Sequence, residues 1–192
     1  MMEDLSLHIL DIVENAVAAG ATRIFVTVTE DEKRDLLRIR VSDNGPGMSK
    51  DILRRALDPF FTTKGKRTGL GLPLLAQAAE QCGGRMTIRA VPGKGTEVTA
   101  RFGHRHIDRP PLTNMKGTLM AIVLGHAEID LVYRHNRNGR VFGFRSRHHL
   151  EAAGGGPRRI EMMAGASAGL KPDAIREVSK ALEAGLKRLG RT

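Results

Sequence analysis

Residues 38–50, RIRVSDNGPGMSK, decide the fold. Ile39 and Val41 alternate with Arg38, Arg40 and Ser42, the pattern of a half-buried strand. The strand stops at Asp43-Asn44-Gly45-Pro46-Gly47. Asn tolerates positive φ and Gly adopts it at no steric cost, so these five residues make a turn. Turns of this composition close many hairpins and bind nothing. What this one does depends on its flanks.

Upstream, Ile24, Val26 and Val28 alternate through residues 23–29, and 36–41 form a partner strand across the charged turn 30–34. Before them, residues 5–19 read as a helix. Leu7, Leu10, Val13 and Val17 recur at spacings of three and four, Ile9 and Ile12 widen the face, and Gly20 ends it. Downstream, 50–57 is a short helix and 60–68 a polar, basic loop expected to move. Residues 73–81 form a helix opened by Pro73 and closed by Gly83-Gly84. Strands 86–91 and 96–102 form a second hairpin around Pro92-Gly93-Lys94-Gly95. A Pro-stiffened linker, 104–111, leads to a helix at 112–124 and to strands at 129–134 and 141–145 across Asn138-Gly139. After a glycine-rich break at 152–157, residues 172–189 form an amphipathic helix with Ile175, Val178, Leu182, Leu186 and Leu189 on one face.

The 192 residues are 41% hydrophobic, enough for one domain plus an appendage. No apolar stretch reaches the roughly 20 residues of a membrane helix, and the acidic N-terminus is unlike a signal peptide. Cys82 stands alone, so no internal disulfide forms. A cytoplasmic protein is expected. The net charge of +10 is uneven: residues 1–103 carry 15 Lys and Arg against 13 Asp and Glu, and residues 104–192 carry 16 against 8. The scarcity of aromatic residues argues against nucleic acid as partner. His104, His106, His148 and His149 lack the cysteines or acids of a metal site.

Two further features carry chemistry. Asp11 and Asn15, four apart, project from one face of the first helix. Thr68-Gly69-Leu70-Gly71-Leu72-Pro73 is a glycine-rich loop entering a helix, where free N–H groups and the helix dipole suit a phosphate; Lys64, Lys66 and Arg67 add charge. The spacing fits neither a Walker A loop nor a dinucleotide fingerprint.

In order, these pieces resemble the GHKL superfamily, which contains the ATP-binding domains of histidine kinases, anti-sigma serine kinases, MutL, DNA gyrase and a heat-shock chaperone. HILDIVENAVAAGAT resembles the N box, VSDNGPGM the G1 box, DPFFTTK the F box, TGLGLPL the G2 box and GKGTEV the last box. The F box and TGLGL look most like histidine kinases, in a stand-alone bacterial form. The resemblance implies an α+β fold: a two-layer α/β sandwich with a mixed sheet and helices on one face, the Bergerat ATP-binding fold. Residues 1–103 would be the ATP-binding domain, 104–111 the linker, and 112–192 a small, basic α/β C-terminal extension.

The resemblance also implies roles. Asn15 would coordinate Mg²⁺ on the ATP phosphates. Asp43 would accept a hydrogen bond from the adenine amino group, with Gly45 and Gly47 letting the backbone pass the base and Thr96 assisting. Gly69, Leu70, Gly71 and Leu72 would offer N–H groups to the phosphates. Residues 60–67, with Lys64, would be the ATP lid. Asp11 occupies the place where MutL, gyrase and the anti-sigma kinases carry an acidic general base, although Asp is shorter than the usual Glu. Histidine kinases tend to carry Lys or Arg at the position of Ala18, and MutL tends to carry Asp.

Three functions follow. The first is an ATP-dependent phosphotransferase acting on a separate protein, with a response regulator or a redox-complex subunit as partner class. The second is an ATP-gated regulatory or scaffold module with slow or no turnover. The third, a MutL-like DNA-associated ATPase, lacks a transducer domain. A homodimer is compatible with each.

Overall fold

The computed structural model describes residues 4–56, 71–152 and 170–190. In chain order its elements are α1 (Leu5–Ala18), β1 (Arg23–Asp31), β2 (Leu36–Asp43), α2 (Lys50–Arg55), α3 (Gly71–Gln81), β3 (Arg85–Val91), β4 (Gly95–Gly103), α4 (Met115–Gly125), β5 (Asp130–Arg137), β6 (Arg140–Arg145), α5 (Ser146–Ala152) and α6 (Pro172–Arg188). The strands form one mixed sheet in the order β3-β4-β2-β1-β5-β6. β5 runs parallel to β1; every other neighbouring pair is antiparallel. The expected α+β two-layer sandwich is the fold observed.

Alternation fixes which face the helices cover. Ile24, Val26 and Val28 of β1, Leu37, Ile39 and Val41 of β2, Val98, Ala100 and Phe102 of β4, and Leu131 and Tyr133 of β5 are buried. Leu5, Ile9, Ile12, Val13 and Ala16 of α1 pack on them, with Leu119 and Ile122 of α4 and Val178 and Leu182 of α6. The opposite face of the sheet carries no helix among the described residues.

The strands of residues 130–145 continue the sheet that the first four strands begin. Their join to β1 contains a buried polar chain. Tyr133 Oη meets His135 Nδ1 at 2.7 Å, and His135 Nε2 meets Glu30 Oε1 at 2.7 Å. His104 approaches the other Glu30 oxygen at 3.5 Å. Each buried polar group is thereby satisfied, as burial demands. Near the N-terminus, Asp4 caps α1 through Ser6 N–H and also accepts from Thr113, so residue 113 is fastened to the start of α1.

Three expectations need correction. The buried face of α1 is centred on Leu5, Ile9, Ile12, Val13 and Ala16, and Leu7 is 48% exposed. α1 is apolar around most of its girth, so spacing alone does not select the stripe that meets the sheet. The helix expected from residue 112 begins at Met115, capped by the Asn114 side chain on Gly117 N–H. Finally, α5 was not expected at all.

Candidate nucleotide-binding site

The Asp-Asn-Gly-Pro-Gly turn leaves the end of β2 on the helix-covered side of the sheet. Asp43 pairs with Ile24 across β1, and both lie on that side. Asp43 Oδ1 accepts Gly45 N–H at 2.7 Å and Thr96 N–H at 3.3 Å. One carboxylate oxygen is therefore held by two backbone donors. Among the described residues, the other oxygen, Oδ2, makes no hydrogen bond, so the group can accept from a ligand.

Asn44 anchors the turn. Its Oδ1 accepts Thr22 N–H at 2.9 Å and Arg23 N–H at 2.8 Å, and its Nδ2 donates to Thr22 Oγ1 at 2.9 Å. Its own N–H donates to the Arg23 carbonyl. The turn is thus clamped to the loop that joins α1 to β1.

Two glycines let this turn lie against the β3–β4 turn. Gly47 has φ +68°, and a side chain there would collide with the Val91 carbonyl. Gly95 has φ +91°, and a side chain there would collide with the Asp43 carbonyl. Gly93 N–H donates to the Pro46 carbonyl at 2.8 Å, which closes the contact. Gly45 is buried, and a methyl group on it would stand 2.9 Å from Asp43 Oδ1 and 3.7 Å from Ala21 Cβ.

On α1, Asp11 and Asn15 are exposed. Asp11 lies against the start of α3: a Cβ on Gly71 would stand 3.1 Å from Asp11 Oδ2. Glycine at 71 thus lets the start of α3 lie directly beside the Asp11 carboxylate. Leu72 follows in the first turn of α3. Glu14, between the two, turns away and meets His126 Nε2 at 2.8 Å.

The structure thus brings together Asp43, Gly45, Gly47 and Thr96 in one cradle. It sets Asp11 beside Gly71, with Leu72 next in α3 and Asn15 one turn along α1. Lys64, Gly69 and Leu70, with the lid at 60–67, lie outside the described residues. Sequence reasoning passed over Asn44, Ala21 and Gly95 as parts of the cradle. Asn44 carried a usable signal, since Asn side chains fasten turns to nearby backbone.

Comparison with known proteins identifies the family and the fold. Residues 3–106 match the family model for histidine kinase-, DNA gyrase B- and HSP90-like ATPases. The sensor histidine kinase ZraS of Salmonella typhi is 36% identical over 96 residues, covering 50% of this chain and 21% of that protein. The sensor protein kinase FleS of Pseudomonas aeruginosa is 43% identical over 91 residues, covering 47% and 23%. The chain thus spans about a fifth of the length of these relatives. The crystal structure of the N-terminal domain of a DNA repair protein superposes with a TM-score of 0.53 at 14% identity, over 73% of this chain and 51% of that one, and so shares the fold. The chain belongs to the histidine kinase-, DNA gyrase B- and HSP90-like ATPase family and carries that family's ATP-binding domain.

Proposed function

We propose that the protein binds Mg-ATP in the cradle around Asp43 and transfers the γ-phosphoryl group to a separate protein partner. The observation that carries the reading is the Asp43 carboxylate, oriented through one oxygen by Gly45 and Thr96 N–H groups. An acceptor fixed in this way selects an amino-bearing base edge, as adenine has, over a carbonyl edge. Gly45 and Gly47 keep the turn flat against its neighbours, which leaves room for a base.

Asn15 would hold Mg²⁺ through its amide oxygen. One neutral oxygen ligand suits Mg²⁺, which draws its remaining ligands from water and phosphate. The ion would neutralise charge developing on the phosphates. The Gly71 and Leu72 N–H groups, with Gly69, Leu70 and Lys64 before them, would hold phosphate oxygens at the α3 N-terminus. Asp11, whose carboxylate lies against Gly71, would take a proton from the attacking group. The partner would be of the response-regulator or redox-subunit class, in the cytoplasm. Among the described residues, no helix is long and apolar enough to cross a membrane.

The test is single-turnover release of γ-phosphate from labelled Mg-ATP, with bound nucleotide measured in parallel. Asp43→Ala should abolish binding. Asp11→Asn should keep binding and lower turnover about 100-fold or more. Unchanged ATP affinity in Asp43→Ala would refute the site. Tight binding with no Asp11-dependent release, with or without candidate partners, would favour the ATP-gated regulatory module.

A further inference from the structure

The sheet face turned away from the nucleotide cradle is lined with arginine. Alternation places Arg23 of β1, Arg38 and Arg40 of β2, Arg85 and Arg89 of β3, Arg101 of β4, Arg134 of β5 and Arg145 of β6 on it. Among the described strand residues three carboxylates share the face, and all are engaged. Glu97 meets Arg40 at 2.5 Å, Asp130 is bound by Arg23 and Arg145, and Asp31 meets Arg34 at 3.5 Å. Among the described residues Arg38, Arg85, Arg89, Arg101 and Arg134 make no ion pair. Arg38 donates only to Thr29 Oγ1, at 3.4 Å.

Their placement is costly to the fold. Arg85 stands opposite Arg101, and Arg101 opposite Arg38, so three guanidinium side chains share one row across adjacent strands. Like charges directly opposite each other destabilise a sheet. A row of this kind is explained by an anion that lies across it. Hydroxyls fill the gaps: Thr27 and Thr29 on β1, Ser42 on β2, Thr87 on β3 and Thr99 on β4. Phe25 lies mid-sheet on β1, 44% exposed, beside Ser42 and Val132. At one end of the face, Arg34, Arg85, Arg101, Arg105 and His106 line an open groove of about 750 Å³ together with Asp35, whose carboxylate accepts Arg105 N–H at 2.8 Å.

We propose that this face binds a single-stranded nucleic acid, with the five unpaired arginines on phosphates and Phe25 stacking on a base. Apart from Phe25 and Val132 at its middle and Val91 and Val141 toward its edges, the face is polar and strongly positive, the make-up of a nucleic-acid interface. Among the described residues it presents no helix or ribbon that could enter a duplex groove, which selects the single strand. Arginine and threonine together are the side chains that contact phosphate and sugar. The chain's few aromatics argue against nucleic acid when only counted along the sequence, but Phe25 stands exposed on an open sheet, where one aromatic is a stacking platform for one base. Because Asp43, Asp11 and Asn15 lie on the other side, strand and nucleotide would bind together without competing.

The experiment is fluorescence anisotropy of a labelled twelve-nucleotide oligouridine with the full chain, across a range of KCl. Five phosphate contacts predict a slope of log affinity against log salt of about −3.5. Arg85→Gln with Arg101→Gln should make the slope shallower by about 1.4. Phe25→Ala should weaken binding about fivefold or more and leave the slope unchanged. Arg188→Gln, on α6, should change neither and should keep its thermal midpoint, whereas the Arg85→Gln, Arg101→Gln pair, relieved of like-charge repulsion, should raise its own. ATP should not displace the strand. Absence of binding at about 50 mM KCl would overturn the proposal. So would displacement by polyglutamate at equal charge, which would make the occupant an acidic protein. Equal affinity for a duplex of the same length, with Phe25→Ala silent, would also overturn it.

Discussion

At the residue scale, the site depends on backbone close to backbone. Gly93 and Gly95 lie in one turn and make a controlled pair. Gly93 has φ +75° with open space around its missing side chain. Gly95 has φ +91° and faces the Asp43 carbonyl. Gly93→Ala should therefore cost only the left-handed backbone penalty, about 1 kcal/mol, and leave ATP affinity unchanged. Gly95→Ala should cost about 3 kcal/mol and also displace Asp43, so that nucleotide binding is lost. Urea unfolding and nucleotide titration of the two variants check this. Equal effects would mean that the two turns do not depend on their contact. Much of this site was legible, because Asp43, Gly45, Gly47 and Thr96 each sit in a local motif. The role of Gly95 was not: its constraint comes from a carbonyl 52 positions earlier in the chain, which only the sheet register brings near.

At the scale of elements, α6 packs on β6 through a missing side chain. A Cβ at Gly185 would collide with the Phe142 ring. Alanine in a helix gains about 1 kcal/mol over glycine, and overpacking costs about 1–3 kcal/mol. The clash should win, and Gly185→Ala should destabilise by about 1 kcal/mol. Phe142→Leu should relieve it, so the double variant should be more stable than the sum of the single effects predicts. Additive effects would show that the ring moves aside freely. Periodicity found α6 because its apolar residues are few and regularly spaced. It missed α5, where Ser146, Arg147, His148 and His149 precede the one large apolar anchor, Leu150. That helix is held by context: Ser146 Oγ donates to the Ile129 carbonyl and accepts Leu131 N–H.

At the scale of the whole molecule, counting charge along the chain hid its arrangement. Residues 1–103 are nearly neutral, yet six of the eight arginines on the open face come from them. The register of six strands gathers these, and no linear window shows it. The same face holds the ionic join between β1, β5 and β6. Asp130, with a side chain 1% exposed, receives Arg145 at 2.7 Å and Arg23 at 2.9 Å. The Arg145 hydrogen bond is the main cause that holds its carboxyl below the usual range; burial opposes this, and Arg23 adds to the lowering. Because the folded value is the lower one, the unfolded chain takes up the proton first. The stabilisation is full above the ordinary carboxylate value of about 3.9 and is lost as pH falls through the folded value. Asp130→Asn should therefore be less stable than the parent by about 2 kcal/mol at neutral pH, since it gives up charge-assisted hydrogen bonds while both arginines remain half-exposed. The gap should persist down to about pH 4 and close below it. Urea unfolding of both proteins between neutral pH and about pH 3 measures this. A gap that stays constant over that range would mean that Asp130 joins the strands by shape and neutral hydrogen bonds, and that its charge adds nothing to the sheet.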